Sequence, residues 1–285
     1  LKGGMPTIPI RDIKIQRREN DLVAGSFGRG IFILDDITPL RTFTKSMMSV
    51  EASMFPVKTA HWYRQSSRVG SQGDAEWIAK NPPFGANFTY YMADKIKSKK
   101  DLRKAKEKKG DVKFPGWDAL EEESREDGPS IMLVIKDKNG NVVNTIKGTN
   151  RKGFNRVNWG LSYPSKSGER LQAPRGRRGF RGGGVMVTPG VYSVTLMKRV
   201  DGIHTELQGP ESFSVEPLFE GALPRKSYKE IDEFREAAFA FQQDLTATNI
   251  ALSRSQQTVD AMLRAHNKAT SPSNELFKQL NDLKI

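Results

Sequence analysis

The sequence contains no cysteine and only three histidines among its 285 residues. The absence of cysteine excludes disulfide bonds, thiolate zinc sites and cysteine nucleophiles. It does not fix the compartment, because large secreted domains need no disulfides. The histidines at positions 61, 204 and 266 lie far apart and lack the spacing of a metal site or a Ser–His–Asp triad. We therefore interpret His61, His204 and His266 as surface or packing residues.

Long hydrophobic runs are also missing. The longest are short, as at residues 131–135, whereas a membrane span needs about 20 apolar residues. The sequence therefore predicts no membrane span. It begins with Leu1 and shows no signal-like segment, which is typical of a piece cut from a longer chain. Its length suggests about two domains, and its 36% hydrophobic residues are enough for a core.

Positive charge is abundant but unevenly distributed. The formal net charge is +13. Residues 95–113 hold ten basic and three acidic residues, residues 118–127 hold six acidic residues and one basic residue, and residues 170–181 hold five arginines. Because the basic excess lies in insertions and not along one helix face, we interpret it as a solvated surface.

The first 50 residues predict β structure followed by a short helix. Three short strands are predicted at 11–16, 22–26 and 31–34, and a glycine turn is predicted at 27–30. The third strand is apolar on both faces, which predicts burial. Three such strands are typical of most of a β-propeller blade. Thr38 followed by Pro39 predicts an N-cap and an exit helix.

Residues 51–220 predict an immunoglobulin-like β-sandwich with Trp159 in its core. The Asn139-Gly140 pair predicts a hairpin with a primed turn. Two long insertions, at 95–128 and 166–184, interrupt this region, and the first is predicted to be partly helical. About seven short strands support the sandwich, with candidates at 62–63, 86–92, 131–136, 142–147, 155–161, 190–198 and 212–216.

Residues 221–285 predict a helical segment. Ser227 and Glu230 form a capping box ahead of an amphipathic helix that continues to Asn267. A second helix is predicted from Ser271-Pro272. An apolar stripe on the first helix is the candidate docking site, which we expect to be buried either on Leu276, Leu280 and Leu283 of the second helix or on a partner. Its residues are Tyr228, Ile231, Phe234, Phe241, Leu245 and Leu252.

Three segments resemble one known family. LVAGSFGRGIFILDDITPLR at 22–41, GFNRVNWGLSYP at 153–164 and PGVYSV at 189–194 are similar to bacterial sortilin-like proteins with neuraminidase-type (BNR) repeats, which are often labelled glycosyl hydrolases. The resemblance implies a large β-propeller whose last blade lies within residues 1–50, an immunoglobulin-like module and a C-terminal helical segment. It further implies a secreted or cell-envelope location. The implied partners are the remaining blades, other cell-envelope proteins or polysaccharide.

Three functions follow from these patterns. The first is a non-catalytic C-terminal part of a propeller protein that closes the propeller and docks to proteins or surfaces. The second is part of a glycoside hydrolase whose catalytic carboxylates lie in other blades. Asp35 and Asp36 have no identifiable partner acid, so we interpret them as acceptors for turn and helix-start amides.

The third function is RNA binding through the Arg-Gly loop. Its anion-binding candidates are Arg175, Arg177, Arg178 and Arg181. A single copy of such a segment favours a spacer over a nucleic-acid site, so nucleic acid is the disfavoured partner. The sequence predicts no catalytic residue, metal ligand or cofactor site.

Overall fold

A computed structural model confirms that the chain is mainly β with a long helix near its C-terminus. Contacts divide the chain into two compact units, one of residues 1–163 with 186–220 and one of 164–185 with 221–285. The structure describes residues 7–28, 30–65, 81–110, 114–164, 185–221 and 226–283.

Among the described residues, the first unit contains eleven strands and three α-helices. Its strands are β1 Ile10–Gln16, β2 Asp21–Ser26, β3 Ile31–Leu34, β4 Ala52–Met54, β5 Ala60–Trp62, β6 Ala86–Met92, β7 Ser130–Asp137, β8 Val142–Gly148, β9 Gly153–Trp159, β10 Gly190–Val200 and β11 Ile203–Pro217. Its helices are α1 Thr38–Thr42, a 3-10 helix Lys45–Met48, α2 Lys99–Glu107 and α3 Trp117–Arg125. The second unit contains α4 Tyr228–His266 and α5 Asn274–Asp282.

Strands β1, β2 and β3 form a three-stranded antiparallel sheet of their own, which we call the small sheet. The predicted burial of β3 is wrong, since Ile31 is 68% exposed and Ile33 is 60% exposed. The physical reason is that a strand with two apolar faces is buried only where other layers cover both of them.

The remaining strands form two sheets that share one core, which we call the body. Five strands run in the order β5-β11-β10-β7-β8, and three run in the order β4-β6-β9. The body contains a sheet that is curled into a half-barrel, and side chains from both sheets make one apolar cluster. Trp159 lies in this cluster at 1% exposure, which confirms its prediction as a core residue.

One hairpin of the body differs from the sequence-based turn assignment, and another has the primed geometry. The hairpin at Asn139-Gly140 is confirmed between β7 and β8. The predicted primed turn is wrong, because a type I′ turn needs a positive φ at both central residues, and only Gly140 has one. The geometry is that of a type I turn followed by a left-handed glycine. The primed signature lies instead at Asp201 and Gly202, with φ of 50° and 78° between β10 and β11.

The predicted N-cap at Thr38 is also wrong. The N-cap residue is Ile37, and the Thr38 hydroxyl accepts a hydrogen bond from the Asn20 side-chain amide at 2.7 Å. The Thr38 N–H donates instead to Asp36 Oδ1 at 3.2 Å. This contact confirms that Asp36 serves a helix-start amide.

The chain that leaves α1 is anchored to the body by Phe43. Its ring centroid lies 4.8 Å from that of Tyr91 and 5.0 Å from that of Phe154. Such tilted aromatic pairs contribute beyond their buried area. Phe43 therefore attaches the segment between the small sheet and the body to the three-stranded sheet of the body.

The insertion before β7 contains α2 and α3, which confirms its partly helical prediction. Arg103 of α2 makes a bidentate pair with Glu123 of α3, at 2.7 and 2.9 Å, and also contacts Glu107. The guanidinium of Arg103 holds the pKa of the Glu123 carboxyl below its usual range. This contact joins the lysine-rich helix to the glutamate-rich one. The second insertion, 166–184, lies wholly outside the described residues.

The capping box ahead of α4 is confirmed. Ser227 Oγ accepts from the Glu230 N–H, and Glu230 Oε2 accepts from the Ser227 N–H. The helix ends at His266 with Asn267 as its C-cap, as predicted. The next helix begins at Asn274 with Ser273 as its N-cap, three residues later than Ser271.

Candidate docking surfaces

Charged side chains join the small sheet to the body. Arg156 of β9 donates to the main-chain oxygens of Asp35 and Asp36, at 2.9 and 3.0 Å. Lys58 Nζ donates to the main-chain oxygen of Glu19 and lies 3.8 Å from Glu19 Oε2 and 3.9 Å from Asp36 Oδ1. Lys58 therefore lies near acidic side chains of two turn ends of the small sheet, and Arg156 holds the main chain that follows β3.

The junction encloses a cleft of about 590 Å³. Its walls include exposed His61, the Asp35 side chain, and the Tyr63 and Phe84 rings, which meet edge to face. Asp21 accepts from the Asp36 N–H at 2.8 Å, so its carboxylate serves the backbone. The described residues of the cleft hold no nucleophile–base pair, and those ranges contain no His, Asp and Glu cluster for a metal ion.

The small sheet presents one apolar face. The strand register places Ile13, Ala24 and Phe32 in one cross-strand row, and residues paired across antiparallel strands share a face. A second row contains Ile15, Leu22 and Leu34. Ile13, Ile15 and Leu34 are exposed, so much of this face lacks cover from the described part of the chain.

Both outer strands of the small sheet have a free edge within the described ranges. β1 and β3 each pair only with β2 there. A row of unpaired N–H and C=O groups on an apolar sheet is a template for a further strand. The small sheet therefore offers a face and two edges on which another β element can pack.

The predicted docking stripe lies along α4. Phe234 is 74% exposed and Phe241 is 71% exposed. Leu245 and Leu252 are also exposed, whereas Tyr228 and Ile231 are half-buried. These side chains therefore share one helix, and the four from Phe234 onward are exposed to solvent.

Helix α5 covers only the end of α4. Leu263 and Leu280 are buried, and the rings of His266 and Phe277 lie 5.6 Å apart. Leu276 and Leu283 are exposed. The expectation that these leucines cover the stripe is therefore not met, because α5 packs beyond the stripe's last residue, Leu252. The alternative cover, a partner, stays a prediction.

The sequence-predicted anion site cannot be placed. Arg175, Arg177, Arg178 and Arg181 all lie outside the described residues. Sequence reasoning missed a different exposed pair, Phe114 and Trp117, whose rings lie 5.2 Å apart beside the start of α3. The sequence feature that could have indicated this pair is its position between a lysine run and a glutamate run.

No protein-family model, curated protein or solved structure matches the chain. Within the described ranges, no helix has both the length and the apolar composition of a membrane span.

Proposed function

We propose that the chain is the non-catalytic C-terminal part of a secreted or cell-surface β-propeller protein. In this proposal the small sheet belongs to the closing blade, the body is an immunoglobulin-like module, and α4 docks to a partner. The observation that carries the proposal is the exposed apolar face of the small sheet. A strand pattern with two apolar rows is stabilised only when another layer covers them.

The small sheet has the features that blade closure needs. A propeller blade has four strands, and the small sheet supplies three with a free edge at each side within the described ranges. Arg156 and Lys58 hold the turn ends at Asp35, Asp36 and Glu19. They thereby anchor the sheet at one end and leave its apolar face open to neighbouring blades.

The body supports the module assignment. Its sheets of five and three strands enclose one core around Trp159, as a β-sandwich requires. At the junction cleft, the side chains of Arg156, Lys58 and Asp21 form hydrogen bonds with main-chain groups. This arrangement favours a linking and docking role for the chain over catalysis.

Amide hydrogen exchange tests the proposal. The coding sequence upstream of Leu1 should encode repeated four-stranded blades, and the chain should be produced with and without that segment. We expect β1–β3 to exchange rapidly in the 285-residue chain and to gain protection when the blades are present. Strand β7, whose core side chains are already buried, is the internal control and should not change.

Two results would contradict the proposal. One is an upstream sequence without β repeats. The other is exchange in β1–β3 that stays equally fast when the upstream segment is present, because a covered sheet must open before its amides exchange.

A further inference from the structure

The exposed face of α4 follows a heptad repeat. Starting at Ile231, every seventh residue is apolar, and we label these the a positions: Ile231, Ala238, Leu245, Leu252 and Val259. The spacing persists through five heptads of a single 39-residue helix. An apolar residue at every seventh position over this length is typical of a coiled coil.

The d positions, three residues after each a, complete the seam. They are Phe234, Phe241, Thr248, Ser255 and Met262. The Thr248 hydroxyl donates to the Asp244 main-chain oxygen at 2.8 Å, so its polar group is satisfied within the helix. We call the a and d residues from 231 to 262 the α4 seam.

Exposure on α4 follows this seam. The large apolar side chains of α4 that are exposed are Phe234, Phe241, Leu245, Leu252 and Met262, and all of them are a or d residues. The large apolar side chains off the seam, Phe239, Ile250 and Leu263, are half-buried or buried. The uncovered apolar surface of this helix is therefore a single line at coiled-coil spacing.

A helix already covers the point where the seam ends. His266 occupies the next a position, and its Nε2 lies 2.8 Å from the Ser273 main-chain oxygen while its ring packs on Phe277 of α5. Leu263 beside it is buried. At this end of α4, the helix face that carries the seam is therefore covered by another helix, α5.

We infer that the α4 seam pairs with the α4 seam of a second copy of this chain. The inference rests on the docking role proposed for α4 and identifies the partner as a second copy. Charges at the flanking e and g positions choose coiled-coil partners. Over the seam these positions carry only Glu230, Arg235 and Asp244 as charged residues. Such flanks neither select an oppositely charged partner nor repel an identical helix.

In a parallel, in-register pair the flanks are complementary. Glu230 at g, which also caps α4, would face Arg235 at e of the second copy, which also pairs with Asp232, so opposite charges meet at these positions. The remaining flanking residues over the seam are Gln242, Asn249, Gln256, alanines and Thr258, apart from Asp244, which would face Asn249. The pairing is isologous, as in most homodimers.

The length of the seam is sufficient for a stable dimer. Residues 231–262 span about 47 Å of helix. The exposed side chains of the seam, namely two phenylalanines, two leucines and a methionine, supply about 500 Å² of apolar area per helix. Together with the flanking residues this approaches the roughly 800 Å² per partner of a standard interface.

The mass of the complete 285-residue chain in solution tests the inference. We expect sedimentation equilibrium to give a dimer of the 32.0 kDa chain. Phe241→Glu should shift it toward the monomer and raise the Kd by at least about 100-fold, because both copies lose a buried aromatic side chain. Phe241 is exposed in the single chain, so the helix content by circular dichroism should be unchanged.

A matched control separates the seam from the rest of the helix. Gln257→Glu adds the same charge at an exposed f position, opposite the seam, and should leave the dimer intact. A monomeric wild-type chain, or a dimer equally resistant to both substitutions, would overturn the inference. The exchange experiment on β1–β3 reads a different surface, so failure of the pairing is distinguishable from failure of the proposed function.

Discussion

The small sheet and the body both contain isoleucines in antiparallel strands, but only the body buries them. Ile13 in β1 and Ile135 in β7 are both isoleucines in antiparallel strands, yet Ile13 is 57% exposed and Ile135 is 0% exposed. Both strands form antiparallel ladders, β1 with β2 among the described strands and β7 with both β8 and β10. The difference is the second sheet, which covers Ile135 and has no counterpart over Ile13 among the described residues.

This difference shows that strand formation and burial are separate requirements. Alternating apolar residues specify which face a side chain takes. Burial depends on a second layer that comes from distant sequence, here β4, β6 and β9 against β7 and β10. The stability of the unit should therefore reside in the body.

The largest expected effect is the loss of a core isoleucine. Ile135→Ala should lower the free energy of unfolding by about 2–5 kcal/mol, because it leaves a cavity in a close-packed core. Urea unfolding followed by circular dichroism measures this loss. A loss below about 1 kcal/mol would mean that the core relaxes around the smaller side chain, which would weaken the contrast between the two regions.

An intermediate effect is expected at Tyr90 of β6. Its buried hydroxyl donates to the Thr149 main-chain oxygen at 2.8 Å, so Tyr90→Phe should cost about 1–3 kcal/mol by leaving that oxygen unpaired. Tyr91→Phe is the matched control on the same strand, since Tyr91 is only half-buried. An equal loss in both variants would contradict a specific role for the Tyr90–Thr149 bond.

Tyr90→Phe should also change how the free energy of unfolding depends on pH. Burial raises the pKa of Tyr90, so the folded state favours the neutral phenol. The stability from this group is complete below the ordinary tyrosine pKa of about 10 and is lost as pH rises above it. The gap between wild type and Tyr90→Phe should therefore narrow above about pH 10, and a gap that widens there would contradict this assignment.

The smallest effect is expected in the small sheet. Ile13→Ala should change the unfolding free energy of this chain by no more than about 0.5 kcal/mol, because the side chain is largely exposed. Urea unfolding alongside Ile135→Ala gives the direct comparison. If Ile13→Ala cost as much as Ile135→Ala, the small sheet would be covered in solution by the chain itself or by a second copy.

Local patterns predicted much of this fold. The bounds of β6, the extent of α4 and its capping box, and the helical nature of the insertion before β7 all depend on nearby residues. The predicted strand at 62–63 was displaced, since β5 lies at Ala60–Trp62 and pairs in parallel with β11. Strand β4 was missed because three residues carry too little periodicity to detect.

The start of β11 shows the same limit. Its prediction at 212–216 missed the first nine residues of a strand that begins at Ile203. Residues 203–211 contain Pro210 and several polar side chains, which disfavour a strand. Pairing with the full length of β10 through the turn at Asp201 and Gly202 outweighs that preference.

The sequence by itself determined the position of most strands and helices and their apolar faces, because propensity, capping and periodicity act within a few residues. It also determined the unbroken stripe on α4 and the absence of cysteine chemistry. Tertiary structure alone decided that β7 is buried while β3 is exposed, and that α5 covers only the end of α4. The physical reason is that burial depends on which distant segments meet, and no local pattern encodes that partner.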